Sequence, residues 1–334
     1  AFWLKAPLSR TVCASLLSSS RVKMGNCQTG PGDGATTDTI GDTSKTPALL
    51  SSTGQVSEIA SGTKAYMELY PGGTSDGALR LGNIVPDFSC ETTVTESTKA
   101  GCPGMEADGK MKSFHEWKKG RWGILFSHPA DFTPVCTTEI GRLALKYEEL
   151  KKLNVALATL SVDPVKSHDE WLRDVVAHCE NKIEILFPII GDADRIISGK
   201  YGMLDQGNKN HEGVKALPLT IRAVFIINPE NQLMCTLNYP ACVGRNMDEI
   251  LRVMQALQLS YEKSVATPAN WPNNHADMPD PRDATKRTSD FKGSVFLLPT
   301  ITAEEATKYY PTHAACPVPS QKNYLRLVPA KDLN

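Results

Sequence analysis

The chain has almost no net charge with which to attract a polyanion. Its 36 Lys and Arg against 37 Asp and Glu leave a formal value of -1 over 334 residues. Nucleic acid and anionic membranes are held by large basic surfaces, so neither is expected as a partner. There is no Cys-x-x-Cys pair, and nowhere do cysteines and histidines gather at zinc-finger spacing, so no structural metal site is expected. No apolar run approaches membrane-spanning length, and no internal repeat is found. The nine cysteines are odd in number and scattered through a chain too core-rich to be a disulfide scaffold. A reducing compartment, the cytoplasm, suits them better. What is present is an ordinary globular balance, 41% hydrophobic and 22% charged. That length and composition can bury one good-sized core plus a smaller second domain.

The N-terminal region points two ways. Residues 1–23 contain Lys5, Arg10, Arg21 and Lys23, many serines and no acid, which resembles an organellar transit peptide and would send the chain to mitochondria. Since residue 1 is not Met, the same stretch reads equally as untranslated or appended sequence. Met24-Gly25-Asn26-Cys27-Gln28-Thr29 fits the myristoylation pattern, with Cys27 placed to carry a palmitate. The two signals exclude each other, and membrane association is expected only if Gly25 and Cys27 are acylated. From Thr29 to about Gly77 the composition is rich in Gly, Ser, Thr and Pro, which reads as a linker.

Apolar patterning begins near Leu79. Gly123–His128 reads as a buried strand, followed by a helix from Pro134 to Leu153 and a second strand, Val155–Val162. Ser167-His168-Asp169-Glu170 has the form of a capping box opening a helix to about His178. Ile183–Ile190 and Ala223–Ile227 read as strands, and the turn Asn228-Pro229-Glu230-Asn231 makes a hairpin with Gln232–Tyr239. Asn246 and Glu249 are placed to cap a helix ending near Lys263. Strands alternating with helices, closed by a hairpin and a helix, predict an α/β fold with a mixed central sheet flanked by helices, of the thioredoxin-like type. Beyond Ala266 the pattern changes to short strand-like runs, Val295–Leu298 and Tyr324–Val328, between prolines. The expected division is an extension at 1–78, a main domain at 79–265 and a small C-terminal domain at 266–334.

Chemistry concentrates at Pro129-Ala-Asp-Phe-Thr133-Pro134-Val-Cys136, where the first strand hands over to its helix. Thr133 is a good N-cap and Pro134 suits the first helical position, which puts Cys136 in the first turn. Free backbone N–H groups and the positive end of the helix dipole favour a thiolate there, the form that acts as nucleophile. Taken alone, a cysteine in such a helix could equally be a core thiol, because free Cys is among the most buried residues.

The spacing Pro129-x-x-x-Thr133-x-x-Cys136 matches the peroxiredoxin signature, and the longer string Phe126–Glu139 resembles the one-cysteine branch of that family. The resemblance runs from about Leu81 to Val328 and includes Leu217–Arg222, Tyr239-Pro240, Gly244-Arg245-Asn246, Asp248–Arg252 and Val265–Trp271. It implies a thiol-dependent peroxidase that reduces hydrogen peroxide and organic hydroperoxides, in antioxidant defence and redox homeostasis. Cys136 is then the peroxidatic cysteine, Thr133 binds the peroxide, Pro129 shields the sulfur from water and Arg222 stabilises the thiolate. His128 stands where the one-cysteine members have a histidine that tunes the sulfur or its oxidised forms, though as a lone histidine it could be structural. No cofactor and no metal are required.

Two-cysteine members carry a resolving cysteine in a Val-Cys-Pro setting, and Ala315-Cys316-Pro317 imitates it. Cys316 falls within the stretch that resembles the one-cysteine C-terminal domain, so it reads as incidental. An external thiol, glutathione or a thioredoxin-like protein, is then the expected reductant, and a homodimer the expected assembly. Some relatives are also phospholipases, but Gly120-Arg121-Trp122-Gly123 has Arg121 in place of the nucleophilic serine, with His115 and Glu230 at the partner positions. Without a nucleophile that activity has no mechanism. A third reading, a redox sensor or chaperone, differs in that the thiol would be oxidised once and not turn over. The chain also departs from the family at Lys99–Lys112, where a Gly-containing loop with Cys102 is inserted.

Overall fold

Six strands form the central sheet, and the inner ones supply apolar residues to both faces. A computed structural model describes residues 79–209, 217–273 and 292–333. In chain order these form β1 (Glu91–Thr92), α1 (Phe114–Lys118), β2 (Trp122–Ser127), α2 (Pro134–Lys152), β3 (Val155–Ser161) and α3 (Val165–His178). There follow β4 (Ile189–Gly191), α4 (Ile196–Lys200), the pair β5 (Leu204–Lys209) and β6 (Pro218–Thr220), β7 (Arg222–Ile227), β8 (Leu233–Tyr239) and α5 (Met247–Lys263). The chain ends with β9 (Val265–Ala266), β10 (Val295–Leu297), α6 (Ala303–Tyr309), β11 (Ala314–Ala315) and β12 (Arg326–Val328).

The large sheet runs β1-β4-β3-β2-β7-β8. β2, β3 and β4 are parallel, while β7 runs antiparallel to β2 and to β8. Alternation along the central strands divides two cores. Ile124, Phe126, Leu157, Val224 and Ile226 pack with α2, α3 and α5 residues such as Ile140, Trp171 and Met254. Leu125, Ala158, Phe225 and Ile227 face Val85, Phe88, Phe114, Trp117 and Tyr201. The mixed sheet with flanking helices is the one expected. A separate sheet, β11-β12-β10-β9, buries Val265, Val295 and Val328 against Ala256 of α5.

Several predicted boundaries move, each for a visible reason. The helix expected to open at Ser167 starts at Val165 with Pro164 as N-cap, and the Ser167 hydroxyl instead donates to Asp131 at 2.7 Å. The strand expected over Ile183–Ile190 shrinks to Ile189–Gly191, because Ile183 and Ile185 fill the core from irregular chain rather than from a ladder. Asn246 caps α5 as predicted, accepting from the Asp248 and Glu249 N–H groups, but the Glu249 carboxylate is taken by Arg252. The predicted strand at Tyr324–Val328 begins only at Arg326. Within the inserted segment Met105 and Met111 bridge, and Met111 is fully buried, so the insertion is stitched to the core at its end.

α2 and α3 lie close together. A Cβ on Gly141 would stand 2.6 Å from Cys179 Sγ, so only glycine permits that approach. Trp171 of α3 is fully buried in the resulting seam, and its indole N–H donates to Thr137 of α2 at 3.1 Å. Trp171→Ala is expected to cost about 3–5 kcal/mol, from lost burial plus the cavity left behind. Chemical unfolding of the two proteins measures it, and a loss below about 1 kcal/mol would mean that the seam recloses.

Candidate active site

β2 ends at Ser127, and the chain then turns through His128–Phe132 into α2. Thr133 occupies the N-cap position and Pro134 the first helical position, which places Cys136 in the first turn, as the sequence predicted. The Thr133 side chain makes no capping bond. Its hydroxyl donates to the Ala130 carbonyl at 2.9 Å, so it braces the preceding loop instead. Cys136 is fully buried, and Pro129 is buried beside it in sequence. Arg222 opens β7, and its Nη1 lies 3.4 Å from Cys136 Sγ. The guanidinium is aimed by its other bonds: Nε and Nη2 donate to the Ala241 carbonyl at 2.9 and 2.6 Å.

One turn along α2, Glu139 faces the same way as Cys136. Its Oε2 accepts from Arg222 Nη1 and from Arg245 Nη2, both at 2.8 Å. Its Oε1 accepts the Arg245 backbone N–H at 2.7 Å and Nε at 3.0 Å. Arg245 also donates to the Ala223 carbonyl and lies over the Phe126 ring. Burial by itself would raise the Glu139 carboxyl, but hydrogen bonds and charge from Arg245, together with Arg222, outweigh it and hold the group below its ordinary value of 4.5. Glu139 and Arg245 both lie in stretches that carry the family resemblance, yet neither has an expected role from sequence. The i, i+3 relation to Cys136 could have singled out Glu139, whereas no local pattern pairs it with an arginine 106 residues away.

A second polar cluster lies behind the loop. His128 Nε2 is 3.1 Å from Asp131 Oδ1, and His168 Nδ1 is 2.8 Å from Asp131 Oδ2. Burial lowers the affinity of His128 for a proton despite Asp131, which favours the neutral ring, and its Nδ1 has no hydrogen-bond partner. Burial would raise Asp131 too, but the bonds from His128 and His168 reverse the sign and hold it below 3.8. Among the described residues, His128, Asp131 and His168 are the acid–histidine set tight enough to suggest a cation site. Their facing atoms are already joined to one another in hydrogen bonds, which makes an ion-pair network the simpler account. Asp131 and His168 were not singled out from the sequence.

The remaining candidates lie elsewhere. Cys316 is buried beside Leu327, and burial pushes its thiol up, which makes it a poor attacking group. Arg121 donates Nε to the Lys118 carbonyl and Nη2 to the Trp117 carbonyl, so it closes the end of α1. Glu230 accepts from the Tyr261 hydroxyl. Gly25 and Cys27 fall outside the described residues.

Known proteins decide the family. The AhpC/TSA family model matches residues 81–235. Human peroxiredoxin-6 is 42% identical over 256 residues, 76% of this chain and 98% of the relative, and the chicken protein is 41% identical over 254. The chain belongs to the AhpC/TSA family, in its one-cysteine peroxiredoxin branch. It is a thiol-dependent peroxidase with a thioredoxin-like fold. Solved structures agree. A cysteine-to-serine mutant of peroxiredoxin 6 from Arenicola marina is 39% identical with a TM-score of 0.62, over 76% of this chain and 99% of that one. A yeast mitochondrial 1-Cys peroxiredoxin, described in terms of thiol resolution via glutathione/thioredoxin systems, is 35% identical with a TM-score of 0.57, over 75% and 99%.

The buried charges of this peroxiredoxin predict its acid sensitivity. Glu139 and Asp131 are held below their ordinary values, so the stability they lend is present above about pH 4.5 and lost as pH falls through their lowered values. His128 adds a loss that begins below 6.5, where the unfolded chain takes a proton that the folded chain refuses. Glu139→Gln should cost about 3–5 kcal/mol at neutral pH, because two buried guanidiniums lose their anion, and should flatten the acid limb. Urea unfolding between pH 3.5 and 7.5 checks both statements, with the range chosen from about those titration values.

Proposed function

We propose that Cys136 is the nucleophile of the peroxidase, with Arg222, Thr133, Pro129 and His128 completing its site. The observation that carries this is the Arg222 guanidinium 3.4 Å from a buried sulfur in the first turn of a helix. The thiolate attacks one peroxide oxygen, an S–O bond forms as the O–O bond breaks, and the departing oxygen leaves as water or an alcohol once protonated. Sulfur is oxidised to a sulfenic acid and the peroxide is reduced, two electrons each. Negative charge moves from sulfur to the leaving oxygen, and Arg222 with the helix N–H groups is already oriented to meet it. Thr133 sits one turn ahead of the sulfur, where its hydroxyl can hold the peroxide, and Pro129 excludes water. The unpartnered Nδ1 of His128 is an acceptor suited to the S–O–H proton.

An external thiol completes the cycle: it attacks the sulfenic sulfur, water leaves, and a second thiol releases Cys136 from the mixed disulfide. Glutathione and thioredoxin-like proteins are the reductants, by likeness to the yeast relative. The burial of Cys316 supports this over an internal resolving cysteine. The cysteines among the described residues are all free, in keeping with a reducing cytoplasm. The working unit is a homodimer, with 79–265 as the peroxidase domain, 266–334 as the C-terminal domain, and residues 1–78 an extension that sets any mitochondrial or membrane address.

Cys136→Ser is expected to abolish turnover of hydrogen peroxide and of an organic hydroperoxide with either reductant, while Cys316→Ser retains it. Loss of turnover in Cys316→Ser would show that a resolving cysteine had been missed. Arg222→Gln should slow oxidation of Cys136 by about a hundredfold, the usual cost of one preorganised donor, and Arg222→Lys should recover only part of it. Stopped-flow tryptophan fluorescence reads these rates, and rates equal to wild type would make Arg222 structural. Wild-type protein should release no fatty acid from phospholipid vesicles, since Arg121 offers no nucleophile.

A further inference from the structure

We propose that His168 and Asp131 are positioning residues of the peroxidase site, a buried imidazolium–carboxylate pair that pins the loop before Cys136 onto the first turn of α3. The effect on rate rests on the peroxidase reading above; the pinning is argued from geometry alone.

His168 is fully buried, and both of its ring nitrogens face oxygens that accept. Nδ1 is 2.8 Å from Asp131 Oδ2, and Nε2 is 3.2 Å from the Ile190 carbonyl. A carbonyl has no proton to give, and Asp131 is held in its carboxylate form. Two N–H groups are therefore needed on one ring, and only the imidazolium has both. Asp131 then collects Ser167 Oγ at 2.7 Å on the same oxygen and His128 Nε2 at 3.1 Å on the other. With His128 neutral, one buried positive charge meets one buried negative charge.

The titratable groups that face His168 and Asp131 come from three directions. His128 stands at the end of β2 and Asp131 on the loop. Asp163, beyond β3, accepts the Asp131 backbone N–H at 2.8 Å and the Ser161 hydroxyl at 2.9 Å. Asp131 is thus held by both its side chain and its backbone. The next residue needs such an anchor. Phe132 is 56% exposed and sits at φ 53°, a left-handed conformation that is strained for a residue with a Cβ. With more than half of its surface open to solvent, its own burial offers little to offset that strain. Fixed tethers at Asp131 and the Thr133–Ala130 bond on either side hold it there, and α2 with Cys136 follows directly.

A buried ion pair is seldom retained for stability, since apolar residues of equal volume often do as well. Its value here is a fixed loop, because a misplacement of about 1 Å at a reacting group can cost on the order of a hundredfold in rate.

Three measurements on the reduced full-length protein test the pair. Nitrogen NMR of histidine-labelled wild type at neutral pH should show one ring protonated at both nitrogens, identified as His168 by its loss in His168→Gln. Hydrogen exchange of the amides in 128–136 should quicken by about tenfold or more in His168→Gln, with those of 222–227 unchanged. The rate of Cys136 oxidation in that variant should drop by about tenfold to a hundredfold. A neutral His168 ring, unchanged exchange in 128–136, or an unchanged rate of Cys136 oxidation in His168→Gln would each overturn the proposal. Should His168→Gln not fold, Asp131→Asn takes its place in the exchange and rate measurements and in assigning the ring. The NMR and exchange results do not depend on turnover, so failure of the peroxidase reading would be seen separately, as activity surviving in Cys136→Ser.

Discussion

One carboxylate gathered by two guanidiniums, nearly without water, is the constraint on which the site depends. Glu139 is 4% exposed, Arg222 2% and Arg245 8%. Buried charges of this kind cost several kcal/mol each unless their hydrogen bonds are satisfied, and here every guanidinium nitrogen has a named acceptor. The arrangement requires α2, the start of β7 and the segment before α5 to be in place together. Only the completed sheet does that. Once assembled, Arg222 cannot turn away from Cys136 without giving up its bonds to Glu139 and Ala241, so the guanidinium meets the sulfur already oriented.

The second network complements the first. The Glu139 cluster fixes what faces the sulfur across the site, whereas Asp131 with His168, Ser167 and Asp163 fixes the approach of the chain to its helix. Between them stands Phe132 in a left-handed conformation. Strain at such a position persists only where its surroundings over-determine it, and the bonds at Asp131 together with the Thr133–Ala130 bond provide that on either side. A buried thiol and a protected loop are compatible with turnover because the same loop is short and its outer residues, Phe132 among them, are open to solvent.

The corner around Arg121 is held by a local network of its own. Arg121 spends its donors on the carbonyls at the end of α1, and Lys118, fully buried, donates to the carbonyls of Arg121, Asn228 and Pro229. Desolvation brings that lysine down to about 8. This corner of the molecule is therefore closed by cations bound to backbone, and Arg121 among them offers no nucleophile.

The sequence by itself determined the family, the α/β layering, the N-terminal turn that carries Cys136 and the hairpin of Ala223–Ile227 with Gln232–Tyr239, because each is written in a local period, a cap or a contiguous signature. Thr133 at the N-cap and Pro134 behind it could be placed from neighbours alone, although the Thr133 hydroxyl turned out to brace Ala130. Helix and strand limits near Ser167 and Ile183 were misplaced, since tertiary partners claimed Ser167 for Asp131 and drew Ile183 into the core without a ladder. The union of Glu139 with Arg245, and of Asp131 with His168, was decided by tertiary structure only. Those partners are 106 and 37 residues apart, and no periodicity or spacing encodes which buried donor will face which acceptor until the sheet and its helices have closed around them.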